Sequence, residues 1–222
     1  MKDDTVKCVQ HQSYSCMIPL MMDLRGARVV IVGGGAVGAR KARYFAHEAH
    51  VVVLSRSFHP DFEEITAETV TCDLSEMDDD EILSYLTGSF LVITAMDRAD
   101  LNQRIGLLAR RCGAHVNDAV GEDGDVIIPS VVQGDTYCIG ISTFGRSPAM
   151  ARHLRICIQD HCGDIDGMVR LQEALREDLK KRVTDQRVRS QILNAVLDDS
   201  AMWDALSEGT DQAKEQALRK YV

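Results

Sequence analysis

The chain has 222 residues, 45% of them hydrophobic, and its 34 acidic and 25 basic side chains leave a net charge of −9. That length allows one compact domain and a smaller one around a real core, and the acidic balance argues against broad nucleic-acid binding. No apolar stretch approaches the ~20 residues of a bilayer span, and Met1-Lys2-Asp3-Asp4 is too polar for a secretory signal, so a soluble, cytoplasmic protein without membrane attachment is expected.

Residues 1–17 are a polar lead-in without a clear period. The apolar run Arg28–Val32 is a buried strand, and Gly33-Gly34-Gly35-Ala36-Val37-Gly38 joins it to the helical stretch Ala39–Ala46. Glycines at this spacing, between a strand and a helix, mark a dinucleotide pocket. Gly33 makes the tight turn, Gly35 admits the pyrophosphate close to the backbone, and Gly38 lets the helix pack on the strand. Ala36 and Val37 complete the loop before the helix N-terminus, where free N–H groups and the macrodipole favour an anion.

His50–Leu54 is the second strand. Ser55-Arg56-Ser57 follows it, where an acid would normally hold the ribose hydroxyls of NAD. Ser55 can bond a ribose hydroxyl. Arg56 is open to two readings, a partner for the 2′-phosphate of NADP or a solvated loop charge. Val70–Cys72, Phe90–Thr94 and His115–Val116 continue the strand series. Ile82–Leu86, opened by the capping acids Asp78–Glu81, and Ala99–Arg111 are helices between them. This βαβ alternation predicts a parallel sheet covered on both faces.

After Gly121 the pattern changes. Asp125–Val132 and Tyr137–Ser142 read as two strands about the turn Gln133-Gly134-Asp135, and Ser147 caps a helix, Ala149–Asp160, with Pro148 at its first position. From Asp164 onward the chain is helical. Met168, Leu171, Leu175 and Leu179 form one apolar stripe, and Val188, Ile192 and Ala195 another, to be covered by the chain itself or by a second subunit. The seven cysteines form no Cys-x-x-Cys pair, which fits reduced thiols. Cys157 and Cys162, near His153 and His161, lack the spacing of a common zinc site, so no metal is expected.

The segments Ile18–Gly26, Val32–Gly35 with Arg40–Arg43, Thr94–Asp97 with Leu101-Asn102, Asp125–Ser130, and Ser142–Pro148 with Ala151-Arg152 resemble, in order and spacing, the precorrin-2 dehydrogenase family of siroheme synthesis. The resemblance runs from about Ile18 to Leu154. It implies an α/β architecture: a polar extension over 1–17, a Rossmann-type NAD-binding domain over 18–124, an α+β dimerisation region over 125–160 and a helical C-terminal domain over 161–222. It further implies NAD-dependent oxidation of precorrin-2 to sirohydrochlorin by a homodimer, with Thr94 and Ala95 joining the cofactor pocket. Some relatives also insert iron into the product.

The family's acid follows a strand, in a pattern such as Asn-Val-Val-Asp. Here Val116-Asn117-Asp118-Ala119 reads one residue shorter before Ile128-Pro129. Asp118, at the carboxyl end of a strand where open α/β sheets bind ligands, is the expected general base. Asp123 and Asp125 are the competing carboxylates. Arg146 and Arg152, with His153 beside them, are candidates to pair with the carboxylates of an anionic tetrapyrrole. A non-catalytic dinucleotide sensor acting through the helical tail is the alternative from a different functional class.

Overall fold

A computed structural model describes residues 17–119 and 124–222. The chain divides at Asp125 into two compact units. In the first, β1 (Arg28–Val32), β2 (His50–Ser55), β3 (Glu68–Thr71), β4 (Leu91–Thr94) and β5 (His115–Asp118) form one sheet in the order β3-β2-β1-β4-β5. Every pairing in it is parallel. The helices are α1 (Ala36–Phe45), α2 (Asp79–Leu86) and α3 (Ala99–Arg111).

Successive strand residues point to opposite faces, so an apolar run such as Val29–Val32 needs a cover on each side. Val30, Val32, Val52, Leu54 and Val92 share one core with Ile82 and Leu86 of α2 and Ile105 and Leu108 of α3. Val29, Ile31, Val51 and Val53 are equally buried, and α1 supplies Ala39, Ala42 and Phe45 as buried residues in contact with β1 and β2. The acids before α2 do act as a cap. The Asp78 carboxylate accepts from Glu81 N at 2.8 Å, and the Glu81 carboxylate accepts from Asp78 N at 3.0 Å.

Lys41 is the ionisable group on α1 that burial disturbs most, and the adjacent Arg40 charge adds to it, pushing the ammonium down to about 8. A cation desolvated in this way opposes folding while it is charged. The opposition is complete below about pH 8 and fades as pH rises toward the unfolded value near 10.5, so stability should rise across that window. Lys41→Met should therefore raise Tm at pH 7 by about 2–4 °C for each kcal/mol relieved, and the gap should close near pH 10. Equal melting temperatures at pH 7 would contradict this.

The second unit begins with the antiparallel pair β6 (Ser130–Gln133) and β7 (Cys138–Ile141). β6 is shorter than expected from Asp125–Val132, because Asp125 is bonded to β5: its N–H donates to Val116 O at 3.0 Å and its carboxylate accepts from Val116 N at 2.6 Å. α4 (Pro148–His161) carries the expected N-cap, Ser147 Oγ accepting from Met150 N at 3.2 Å. α5 (Ile165–Arg182) is fastened to the β6–β7 turn by Asp166, which accepts from Thr136 N at 2.7 Å and Asp135 N at 3.1 Å.

The stripe of α5 does not need a second subunit. Met168, Leu171 and Leu175 pack against Val196 of α6 (Gln186–Leu197), Met202 and Ala205 of α7 (Ser200–Ala205), and Ala213 and Ala217 of α8 (Thr210–Tyr221). On α6 the expected stripe holds only in part, Ile192 and Ala195 being half-buried. Val188 is 40% exposed, while Val196 is buried with Leu193 beside it, because α5 and α7 meet α6 near its carboxyl end.

Candidate cofactor and catalytic site

The glycine loop lies where β1 gives way to α1, and β1 has β2 on one side and β4 on the other. This is the point at which the strand order reverses, where an open sheet leaves a crevice at its carboxyl edge. Gly33 N donates to Leu54 O at 2.9 Å, and Gly34 O accepts from His59 N at 2.7 Å, so the loop is tied to the end of β2. Gly33 has φ +119°, and a Cβ there would stand 2.6 Å from Ala95 O. A Cβ on Gly34 would collide with Ser57 O, and one on Gly38 with Gly33 O.

Gly35 differs from these three: a Cβ there would meet nothing within 4 Å. It is the N-cap of α1, no side chain caps the helix, and no acid lies in its first turn. The position is thus an open cradle facing uncapped helix N–H groups, which suits a pyrophosphate. Ala36 and Val37 form the first turn at its rim. The residues present fit a dinucleotide.

The adjoining floor comes from β4 and the segment after it. Ala95 N donates to Val32 O at 2.8 Å, and Ala119 N to Thr94 O at 2.9 Å. Asn102, buried on α3, closes the turn after Ala95: its amide donates to Met96 O at 2.9 Å and its carbonyl accepts from Met96 N at 3.2 Å. A buried amide with both ends engaged fixes that segment firmly.

Val32, Thr94 and Asp118 stand in register across β1, β4 and β5. Asp118 therefore ends its strand two strand spacings from the glycine loop, about 10 Å along the same edge. Thr94 Oγ1 donates to Asp118 Oδ1 at 3.3 Å, and Thr94 is itself buried. Asp125 is placed otherwise. Its carboxylate holds Val116 N and faces His115 Nδ1 at 3.4 Å, at the opposite end of β5. Asp123 lies outside the described residues.

Ser55 ends β2, and the Arg56 guanidinium after it lies 3.7 Å from the Asp73 carboxylate. Hydrogen bonds from Ser75, and then the charges of Arg56 and Arg98, hold the Asp73 carboxyl below the usual carboxylate range. An acid therefore does stand beside the end of β2, contributed by the segment just after the neighbouring strand β3. Only the pairing of β2 with β3 reveals it.

Arg146 precedes α4 and Arg152 lies on it; both are exposed in the second unit. Among the described residues there is no group of three His, Cys, Asp or Glu that could hold a metal ion, and no helix long and apolar enough to cross a membrane.

A five-stranded parallel sheet with this loop at its reversal point defines a dinucleotide-binding protein. A family model described as NAD(P)-binding matches residues 20–130, and the precorrin-2 dehydrogenase of Methanosarcina barkeri is 39% identical over 205 residues, 90% of this chain and 91% of that protein. The chain belongs to the precorrin-2 dehydrogenase family. The siroheme synthase of Nitrosococcus oceani is 29% identical over 205 residues, of which the chain spans 43%. The solved structure of SirC, precorrin-2 dehydrogenase, superposes with a TM-score of 0.68 over 91% of this chain and 100% of its own, at 18% identity, which shows a shared fold.

Proposed function

We propose that the protein oxidises precorrin-2 to sirohydrochlorin with NAD as hydride acceptor. The observation that carries this reading is 39% identity over nearly the full length of a precorrin-2 dehydrogenase, joined to a glycine cradle that fits a dinucleotide. NAD, bound over Gly33–Gly38, supplies the two-electron acceptor. Asp118 takes the proton released as conjugation extends, with Thr94 holding one carboxylate oxygen in place. Arg146 and Arg152 supply positive charge for the substrate's carboxylates.

Ser55 is the ribose partner, and the Asp73 carboxylate at Arg56 disfavours a 2′-phosphate, which supports NAD over NADP. Running both cofactors in parallel against precorrin-2 under anaerobic conditions tests that preference, and adding ferrous iron afterwards tests chelatase activity. Faster turnover with NADP would contradict the assignment of Arg56. The non-catalytic sensor is not favoured, since the relative matched over 91% of its length is named as a dehydrogenase.

A homodimer in the cytoplasm completes the proposal. Its support is the second unit's two-stranded sheet, whose outer edges pair with no further strand among the described residues, with Ile127 37% exposed just before it. Light scattering should give a mass twice the 24.6 kDa of the chain, and a monodisperse species at the single-chain mass would contradict the dimer.

A further inference from the structure

His153 and Cys157 stand one turn apart on α4, and Cys157 Sγ lies 3.4 Å from His153 Nε2. Side chains four apart share a helix face, whereas Cys162 lies past the end of the helix. The separation is that of two ligands on one tetrahedral metal ion. With Zn–S about 2.3 Å and Zn–N about 2.0–2.1 Å, the edge from sulfur to nitrogen is about 3.5 Å. A zinc ion therefore fits between the two atoms with little movement of either side chain.

The surroundings admit a cation from solvent. His153 is exposed and Cys157 half-buried. Cys157 is close to the carboxyl end of α4, where the helix dipole favours positive charge, and Asp160 stands in the last turn. Arg155 leaves the opposite side of the helix, where its guanidinium donates to Gln159 Oε1 at 2.7 Å. The His161 ring is turned back on the backbone, its Nδ1 bonded to Cys157 O at 2.9 Å.

We propose that His153 Nε2 and Cys157 Sγ form a two-ligand site for a borderline divalent cation, Zn²⁺ in particular. A thiolate and an imidazole together select Zn²⁺ over Mg²⁺ or Ca²⁺, which take oxygen donors. On binding, the Zn–S and Zn–N bonds form, the thiol proton passes to solvent, and waters fill the remaining positions. The site does not depend on the dehydrogenase reading. It lies in the second compact unit, and the glycine loop and Asp118 lie in the first.

The test uses the full chain, reduced and free of chelator, with Zn²⁺ alone in calorimetry and Co²⁺ as a spectroscopic probe. Cys157→Ser and His153→Ala should each weaken Zn²⁺ binding at least about tenfold, since even the outer-shell partners of a metal are worth about 10–100-fold in affinity. The thiolate-to-cobalt charge-transfer band should be present in wild type and lost in Cys157→Ser. His161→Ala and Cys162→Ser should bind as wild type does. Zn²⁺ should also slow alkylation of Cys157 by iodoacetamide, read by peptide mass spectrometry, in wild type and not in His153→Ala. The wild-type arm of that measurement holds even if a variant is poorly folded. Unchanged Zn²⁺ affinity in Cys157→Ser or His153→Ala, or wild-type alkylation of Cys157 indifferent to Zn²⁺, would overturn the proposal. So would an equal loss in His161→Ala or Cys162→Ser, which would place the ion elsewhere.

Discussion

Asp118→Asn is expected to lower kcat by about 10²–10⁴-fold, the usual worth of general-base assistance, while the Kd of NAD stays at its wild-type value. The substitution keeps the size of the side chain and an oxygen that can still accept from Thr94 Oγ1, the contact seen at 3.3 Å. Only the basicity is lost. Stopped-flow single turnovers would separate this loss from any change in product release. Near-normal oxidation in the variant would contradict the role and direct attention to Asp123, because the Asp125 carboxylate is committed to Val116 N at 2.6 Å.

Gly35→Asp has an equally large expected effect, with opposite signs on binding and folding. Gly35 has φ −75°, an ordinary conformation for any residue, and an added side chain meets open space. Asp is a better N-cap than Gly by a few tenths of a kcal/mol, so the fold should be retained or slightly strengthened. The new carboxylate would stand where the pyrophosphate should lie. Calorimetry should show NAD binding weakened by at least about 10²-fold, the scale of a buried like-charge encounter. An unchanged Kd would mean that the loop does not carry the phosphates.

The first half of the fold was legible because its signals are local. The glycine spacing places Gly38 against the Gly33 carbonyl, a contact that follows from one strand–turn–helix unit, whereas Gly33 meets Ala95 only because β4 pairs with β1. The carboxyl-edge position of Asp118 likewise follows from strand direction alone. Other features depend on partners distant in sequence. Asp73 reaches Arg56 because β3 pairs with β2. Residues 125–129 read as strand by their apolar run, yet Asp125 is bonded to Val116 and Pro129 has no N–H for a ladder. On α6, Val188 and Val196 are equally apolar, and only the packing of α5 and α7 decides that Val196 is buried.

The most direct test of the central claim is the stoichiometry of an anaerobic turnover. Precorrin-2 and NAD are mixed with the purified protein, and NADH and sirohydrochlorin are measured together. Hydride transfer at the proposed site should yield one NADH for each sirohydrochlorin formed, with no reaction in Gly35→Asp. Binding of both ligands without NADH formation would contradict the dehydrogenase assignment.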